Sequence, residues 1–526
     1  MTFVSEQQKM SSKWVEGGKQ QAGTNANQPA AAAIPPPLWL SIALITSQSF
    51  VFGFEISALN TAIVTGDEKK VSSCFDGSDT TCPAGSIYRD LNLSTIEISL
   101  ATSLLIVGAW IGCLAASKPS EVYGRKKTLL WNNIILIAGA IFAASGNTVL
   151  LYIGRFVSGL GVGVASVVVP VLLSELASAE NRGIVTTFHQ VTLTFAILFA
   201  GLLGYGLVTF VVHGWQYLLS FAAVPPLLML LFSSKVPESP KWLVNQGRIE
   251  DAVSVLQMVR PANHNSVAET DGIIDDSRGD VTSSVTWSEL FVYKNAVLIG
   301  CALTFFQAFT GINSVVYYST TIFGFAGFSQ AILATASFGV VNFLSTVWSA
   351  SLVDKMGRKI LLFWGTVIMM GGLVVLSSVL LAGTGSSTGF IAVVALLVYV
   401  FGFAIGQGAV IWVMMSELMP TRVRTKAVSL FLCISWGSNL VVGLVTLTAI
   451  NKLGGVRDDM SDDEETQAEK QGVAYLYLVF ASVCLVANLF IHFLVPETKG
   501  QTPSALQQGG GGVQNPLLYS SVRDYA

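Results

Sequence analysis

The sequence predicts an all-α membrane protein, with 12 transmembrane helices in two pseudo-symmetric six-helix bundles. Three observations predict it. Only 12% of the 526 residues are charged and 52% are hydrophobic, half the charged share, about 25%, of soluble domains. The charges leave long gaps: no Asp, Glu, Lys or Arg occurs in 183–234, 295–353, 360–416, 427–451 or 471–496, and 128–174 holds only Arg155. One charged pattern also recurs in the two halves of the chain. A net charge of −3 excludes binding to nucleic acid through a basic surface.

A bilayer-spanning helix needs about 20 apolar residues. The runs 128–174, 183–234, 295–353 and 360–416 are each long enough for two helices, and 427–451 and 471–496 for one each. Two further spans cover 38–64, holding Glu55, and 95–117, holding Glu97. Placing both termini in the cytoplasm puts 22 of the 29 Lys and Arg on that side, six outside and Arg155 within a span, the asymmetry expected of cytoplasmic loops. The polar residues 1–37, ending at Pro35-Pro36-Pro37, lack the apolar core of a removable leader and read as a disordered cytoplasmic N-terminus. A six-helix bundle over 38–235, an intracellular helical loop domain over 236–294, a second bundle over 295–495 and a cytoplasmic tail over 496–526 follow. Within the loop domain, Ile249, Ala252, Val253 and Leu256 have amphipathic helical spacing. Acidic residues crowd 458–469 and read as a solvated, flexible outer loop. Cys74 and Cys82 share the first outer loop, where a disulfide is permitted. Cys113, Cys301, Cys433 and Cys484 fall in spans and read as packing residues.

The halves carry matching motifs. Glu121-Val122-Tyr123-Gly124-Arg125-Lys126 recurs as Asp354-Lys355-Met356-Gly357-Arg358-Lys359. Glu175 precedes Arg182 by seven residues, and Glu417 precedes Arg424 by seven. A repeated six-helix unit is the direct reading. Acid–Arg pairs at its helix ends suit a cytoplasmic gate that breaks when the halves rock.

Four groups of residues together resemble the sugar porters of the major facilitator superfamily, over roughly 38–500. These are Gly154-Arg155-Phe156 with Gly159, Gly161 and Gly163; Pro237-Glu238-Ser239-Pro240-Lys241; Gln307 with Gly311-Ile312-Asn313 and Tyr317-Tyr318; and Pro496-Glu497-Thr498-Lys499-Gly500. The resemblance implies the major facilitator fold and alternating access around one central site. The chain departs from the family at Glu121 and Val122, at Gln307-Ala308 where a second Gln is usual, and at Phe52-Gly53-Phe54-Glu55 where the acid is usually Asp.

A hexose presents many hydroxyls and an apolar ring face. Neutral amides and an aromatic wall suit it, because amides offer donors and acceptors without the desolvation cost of a charge. By family position the sugar-binding residues are Gln190, Gln307, Asn313, Asn342, Trp412 and Asn439, with Tyr317 and Tyr318 as an extracellular gate. A break in span 7 at Gly311 would let Gln307 and Asn313 both reach the cavity. The resemblance extends the cytoplasmic gate to Glu121, Arg125, Glu175, Arg182, Glu238, Asp354, Arg358, Glu417, Arg424 and Glu497.

Glu55 and Arg155 are ionisable residues in mid-span, where charge is costly and therefore functional by default. Pairing lowers that cost, and protonation of Glu55 would free Arg155 and alter the barrier to rocking. The expected function is monosaccharide transport, of glucose or fructose, by proton symport. A passive hexose uniporter and a sugar-sensing receptor are the rival readings. No Walker loop, metal-ligand cluster or nucleophile elbow is readable, so no enzyme, cofactor or metal is expected. The expected partners are a small sugar, protons and membrane lipid, with the chain acting as a monomer in the plasma membrane.

Overall fold

A computed structural model describes residues 36–63, 74–75, 82–178, 181–278, 287–316, 331–382, 388–457 and 460–499. Tyr317 and Tyr318, the side chain of Asp354, and Asp458 and Asp459 lie outside the described residues.

Among the described residues the architecture is helical throughout, in twelve spans. The first six are α1 (Pro36–Ala62), α2 (Thr95–Ala115, continued by Ser117–Val122), α3 (Arg125–Ala143), α4 (Thr148–Leu176), α5 (Arg182–Phe210) and α6 (Gly214–Phe221 with Val224–Leu231). The second six are α7 (Lys294–Phe309, resuming over 312–316), α8 (Ala331–Met356), α9 (Arg358–Ala382), α10 (Thr388–Phe403 with Ala409–Glu417), α11 (Thr421–Gly454) and α12 (Asp462–Leu494). Ten of these are long and apolar enough to cross a membrane, and α8 holds a shorter apolar helix over Ser337–Val353. Large side chains such as Ile134, Leu202, Phe210, Trp364 and Phe493 are exposed, as befits helices whose outer surface meets lipid rather than water.

Within the first bundle α2 packs on α4, α1 on α5 and α3 on α4; within the second, α9 packs on α10 and α12, and α7 and α12 on α11. The bundles meet where α5 packs on α8 and α10, and where α11 packs on α2 and α4. The α2–α4 seam explains Gly159 and Gly163 of span 4, while Gly154 and Gly161 face α3. A Cβ on Gly159 or Gly163 would strike the Leu105 or Ala109 carbonyl, and one on Gly108 or Gly112 would strike the α4 backbone. Small residues of this kind let membrane helices approach closely.

Three short helices, Pro240–Asn245, Ile249–Val259 and Ser266–Arg278, lie between the bundles in sequence. The second buries Ala252, Val255, Leu256 and Val259. Its expected apolar face is shifted, since Ile249 is exposed and Val255 is buried. On the opposite face of the molecule Cys74 and Cys82 are disulfide-bonded. Nearby, Asp90 accepts from Trp215 Nε1 at 2.6 Å, which clamps the loop before α2 to the start of α6.

The acidic stretch 458–469 does not form one flexible loop. From Asp462 onward it is the start of α12, with Ser461 and Glu464 forming a reciprocal capping box. Acidic side chains near a helix N-terminus interact favourably with its dipole, so the charge density that reads as a loop favours a helix start. Span 2 also runs longer than expected, to Val122. Glu97 lies in the first turn of span 2, as expected, and completes a capping box with Ser94 there.

Candidate functional site

The charged motifs build one face of the molecule, here the motif face. Gly124 and Gly357 have φ of 93° and 92°, a left-handed backbone that favours glycine. Each turn starts a helix whose first N–H groups have no partner within it. At the first, Glu238 accepts from the Arg125 and Lys126 backbone N–H groups at 2.9 and 3.2 Å. At the second, Glu497 accepts from those of Arg358 and Lys359 at 2.9 and 3.0 Å. Arg125 then forms a two-pronged bond to Glu175, 3.0 and 3.1 Å, and Arg358 repeats it on Glu417, 3.1 and 2.8 Å. Each arginine also donates to a carbonyl five residues before it, of Ser120 and of Val353. Arg424 is buried between the halves in the electrostatic field of Glu175, Arg182, Arg125 and Glu417. Neither Arg182 Nε nor Arg424 Nε and Nη1 has a hydrogen-bond partner. Glu121 bridges the bundles differently, bonding Lys426 of α11 at 2.5 Å. Lys426 was not legible as its partner, because it is one of several basic residues at the start of that helix.

Deeper in the membrane, a cavity of about 90 Å³ lies between the bundles, room for several water molecules. Gln190 from α5, Gln307 and Asn313 from α7, Asn342 from α8, Trp412 from α10 and Asn439 from α11 all line it. The chain brings Gln307 and Asn313 together because α7 breaks at Thr310-Gly311, where Gly311 has φ of 89°. Asn313 Nδ2 donates to Asn439 Oδ1 at 2.5 Å. Gln307 Nε2 donates to the Gln407 carbonyl at 2.9 Å, within the π-helical turn Ala404–Gly408 of α10. The buried Gln190 Oε1 and Asn342 Oδ1 have no partner among the described residues, and unsatisfied acceptors of this kind suit hydroxyl donors. Phe52, Phe403 and Trp436 add an aromatic lining that motif reading missed. Trp436 precedes Asn439 by three positions on one helix, a spacing that places both on one face.

His189 sits behind this wall, its Nδ1 2.8 Å from Ser49 Oγ and its ring 4.5 Å from that of Trp412. Glu55 and Arg155 form a salt bridge of 2.7 Å, each residue 1% exposed. Ser158 donates to the other carboxylate oxygen at 2.9 Å. Arg155 also donates to the Glu55 and Ala101 backbone carbonyls, at 3.0 and 3.4 Å. The pair therefore ties α1 to α4, while Phe52 and Ile56 of α1 line the cavity on either side of Glu55 in sequence.

Two helical bundles around one cavity lined by amides and aromatic rings, with a charged motif repeated at one face, define a membrane carrier of the major facilitator type. Residues 40–508 match the family described as "Sugar (and other) transporter", and the chain belongs to it. It is similar to the D-xylose transporter of Levilactobacillus brevis, 34% identical over 81% of this chain and 91% of that one. The galactose-proton symporter of Escherichia coli (strain K12) is 32% identical over 76% of this chain and 82% of its own. The plastidic glucose transporter 4 of Arabidopsis thaliana is 32% identical over 79% and 74%. Among solved structures, the proton:xylose symporter XylE bound to 6-bromo-6-deoxy-D-glucose superposes with a TM-score of 0.72 at 26% identity, covering 90% of this chain and 99% of that one. The protein is thus an integral, multi-pass sugar transporter and not an enzyme.

Proposed function

We propose that the protein carries a monosaccharide, a hexose such as glucose or fructose, across the plasma membrane by proton symport, with both termini cytoplasmic. The observation that carries this reading is the Glu55–Arg155 pair, fully buried on the helix that also lines the cavity. A buried ion pair is strongly destabilised when one charge is removed. A proton on Glu55 cancels its attraction for Arg155, which keeps its two carbonyl acceptors, and α1 loosens from α4. Binding of the sugar and of the proton then act on the same helix, one through Phe52 and Ile56 and the other through Glu55. Two similar proteins, the galactose-proton symporter and the proton:xylose symporter, support the coupling.

In this reading Gln190, Gln307, Asn313, Asn342 and Asn439 bond sugar hydroxyls, and Trp412 packs on the ring face. The motif face is the cytoplasmic gate, and its Glu121–Lys426 bridge, with the electrostatic attraction between Arg424 and Glu175, holds it closed. The preponderance of Lys and Arg there supports that orientation.

The test is uptake of radiolabelled hexose into vesicles free of other carriers, with a panel of competing sugars and with a protonophore. The account expects accumulation above equilibrium that the protonophore collapses, and competition by a narrow set of hexoses. Uptake that only equilibrates, with or without the protonophore, identifies a passive uniporter instead.

A further inference from the structure

Two cysteines from opposite bundles meet on the α2–α11 seam. Cys113 of α2 is buried and Cys433 of α11 is half-buried, and the two thiols are close enough to influence one another. Trp110 fixes both: its Nε1 donates to Cys433 Sγ at 3.0 Å, and its carbonyl accepts from Cys113 Sγ at 3.0 Å. The indole lies over Gly437, which leaves it room one turn further along α11. Cys433 is twelve residues from the start of α11 and Cys113 nine from Val122. At 1.5 Å per residue both thiols lie about 14–18 Å in from the motif face, on the gate side of these helices' midpoints. The Glu121–Lys426 bridge closes the same seam nearer that face. A third cysteine, Cys301 of α7, lies within the second bundle.

We propose that Cys113 and Cys433 form a reversible disulfide that fastens the two bundles together and arrests the carrier with its motif face closed. The chemistry needs a two-electron oxidant of the hydroperoxide class. Cys433 sulfur gives an electron pair to the peroxide oxygen, and its O–O bond breaks to leave a sulfenic acid and water. Cys113 sulfur attacks that sulfur, the S–O bond breaks, and the departing hydroxide takes the Cys113 proton as a second water. Two thiols and one peroxide thus give one disulfide and two waters, and a dithiol reverses the step by exchange. A disulfide holds its sulfurs about 2.05 Å apart and its Cα atoms about 4.4–6.8 Å apart, so the link asks the two thiols, both already in contact with Trp110, to turn toward each other. The link forms whatever the sugar is; its effect on transport rests on the rocking proposed above.

The test treats proteoliposomes of the full chain with hydrogen peroxide, blocks free thiols with N-ethylmaleimide, and reads two signals. Mass spectrometry of the digest looks for a peptide joined through Cys113 and Cys433. Sugar exchange is measured before oxidation, after it, and after dithiothreitol. The expected result is the joined peptide in the wild type, with exchange reduced at least about tenfold and restored by dithiothreitol. Cys113→Ser and Cys433→Ser should keep exchange under peroxide, while Cys301→Ser should remain sensitive. Absence of the joined peptide overturns the link without touching the transport reading. A joined peptide with undiminished exchange overturns the lock. Equal peroxide inhibition of Cys113→Ser and Cys433→Ser assigns the effect to other groups and also overturns it.

Discussion

At the Gly124 turn, Glu238 holds two backbone N–H groups and Arg125 grips Glu175; at the Gly357 turn, Glu497 and Arg358 repeat both contacts, the latter on Glu417. Mid-membrane the halves part company. The first bundle buries an ion pair, Glu55–Arg155, and beside it Gln48 bonded to Asn132 and Asn133. The second is free of charge over 295–353 and 360–416. It supplies Gln307, Asn313, Asn342, Trp412 and Asn439 to the cavity, against Gln190 from the first. Two of its cavity-lining helices are irregular there, broken at Gly311 and widened at Ala404–Gly408. The difference teaches a division of labour. What is repeated is the charged motif, which we propose is a gate that both halves operate. What is not repeated is the chemistry, with charge on one side of the cavity and neutral recognition on the other.

The largest expected effect breaks that division. Arg155→Leu strands a carboxylate in apolar surroundings and should cost about 3–5 kcal/mol, seen as a lowered melting temperature in detergent. Glu55→Gln with Arg155→Leu should recover most of it. A single Arg155→Leu variant that melts with the wild type would mean that no buried ion pair is present. Next, Glu175→Gln and Glu417→Gln each weaken a charged hydrogen-bond pair and should each cost about 1.5–3 kcal/mol. Thermal melts of the two should agree closely, and a large inequality breaks the likeness of the two gates. Asn313→Ala removes a cavity amide, worth about 1–2 kcal/mol, and should raise KM about 5- to 30-fold in sugar exchange. Glu55→Gln should leave that KM nearly unchanged, which sharpens the separation of charge from recognition.

The smallest effect concerns pH. Burial holds the Glu238 carboxyl above its ordinary value of 4.5, against the lowering pull of the Ser239 and Lys126 N–H groups and Arg125. The folded protein therefore keeps this proton at a pH where the unfolded chain has released it. Its contribution to stability is full below the ordinary value and falls as pH rises through the raised one. Melting temperature plotted against pH should slope downward in that window for the wild type, relative to Glu238→Gln, which has no proton to lose.

The spans were legible because a membrane disfavours charge over about 20 residues, and few sequences hold so many long charge-free runs by accident. The cavity residues were legible through the family resemblance and not through composition, since Gln48, Asn132 and Asn133 are equally conspicuous amides that bond one another and do not line the cavity. Residues that act through backbone geometry were not. The Gln407 carbonyl reaches Gln307 only because the helix widens there, and an apolar run gives no sign of that. Phe52 and Phe403 look like any lipid-facing phenylalanine until the helices are placed. The start of α12 was hidden because Asp462, Asp463 and Glu464 serve a helix end and a loop equally well. Lys426 was hidden because its partner Glu121 is 305 residues away.

The most direct test of the central claim is the pH change outside lightly buffered proteoliposomes when sugar is added. The account predicts that sugar entry alkalinises the medium with the wild type. With Glu55→Gln it predicts no pH change, although labelled sugar still exchanges. Sugar entry through the wild type with no pH change, or a Glu55→Gln carrier that still moves protons with sugar, would contradict it.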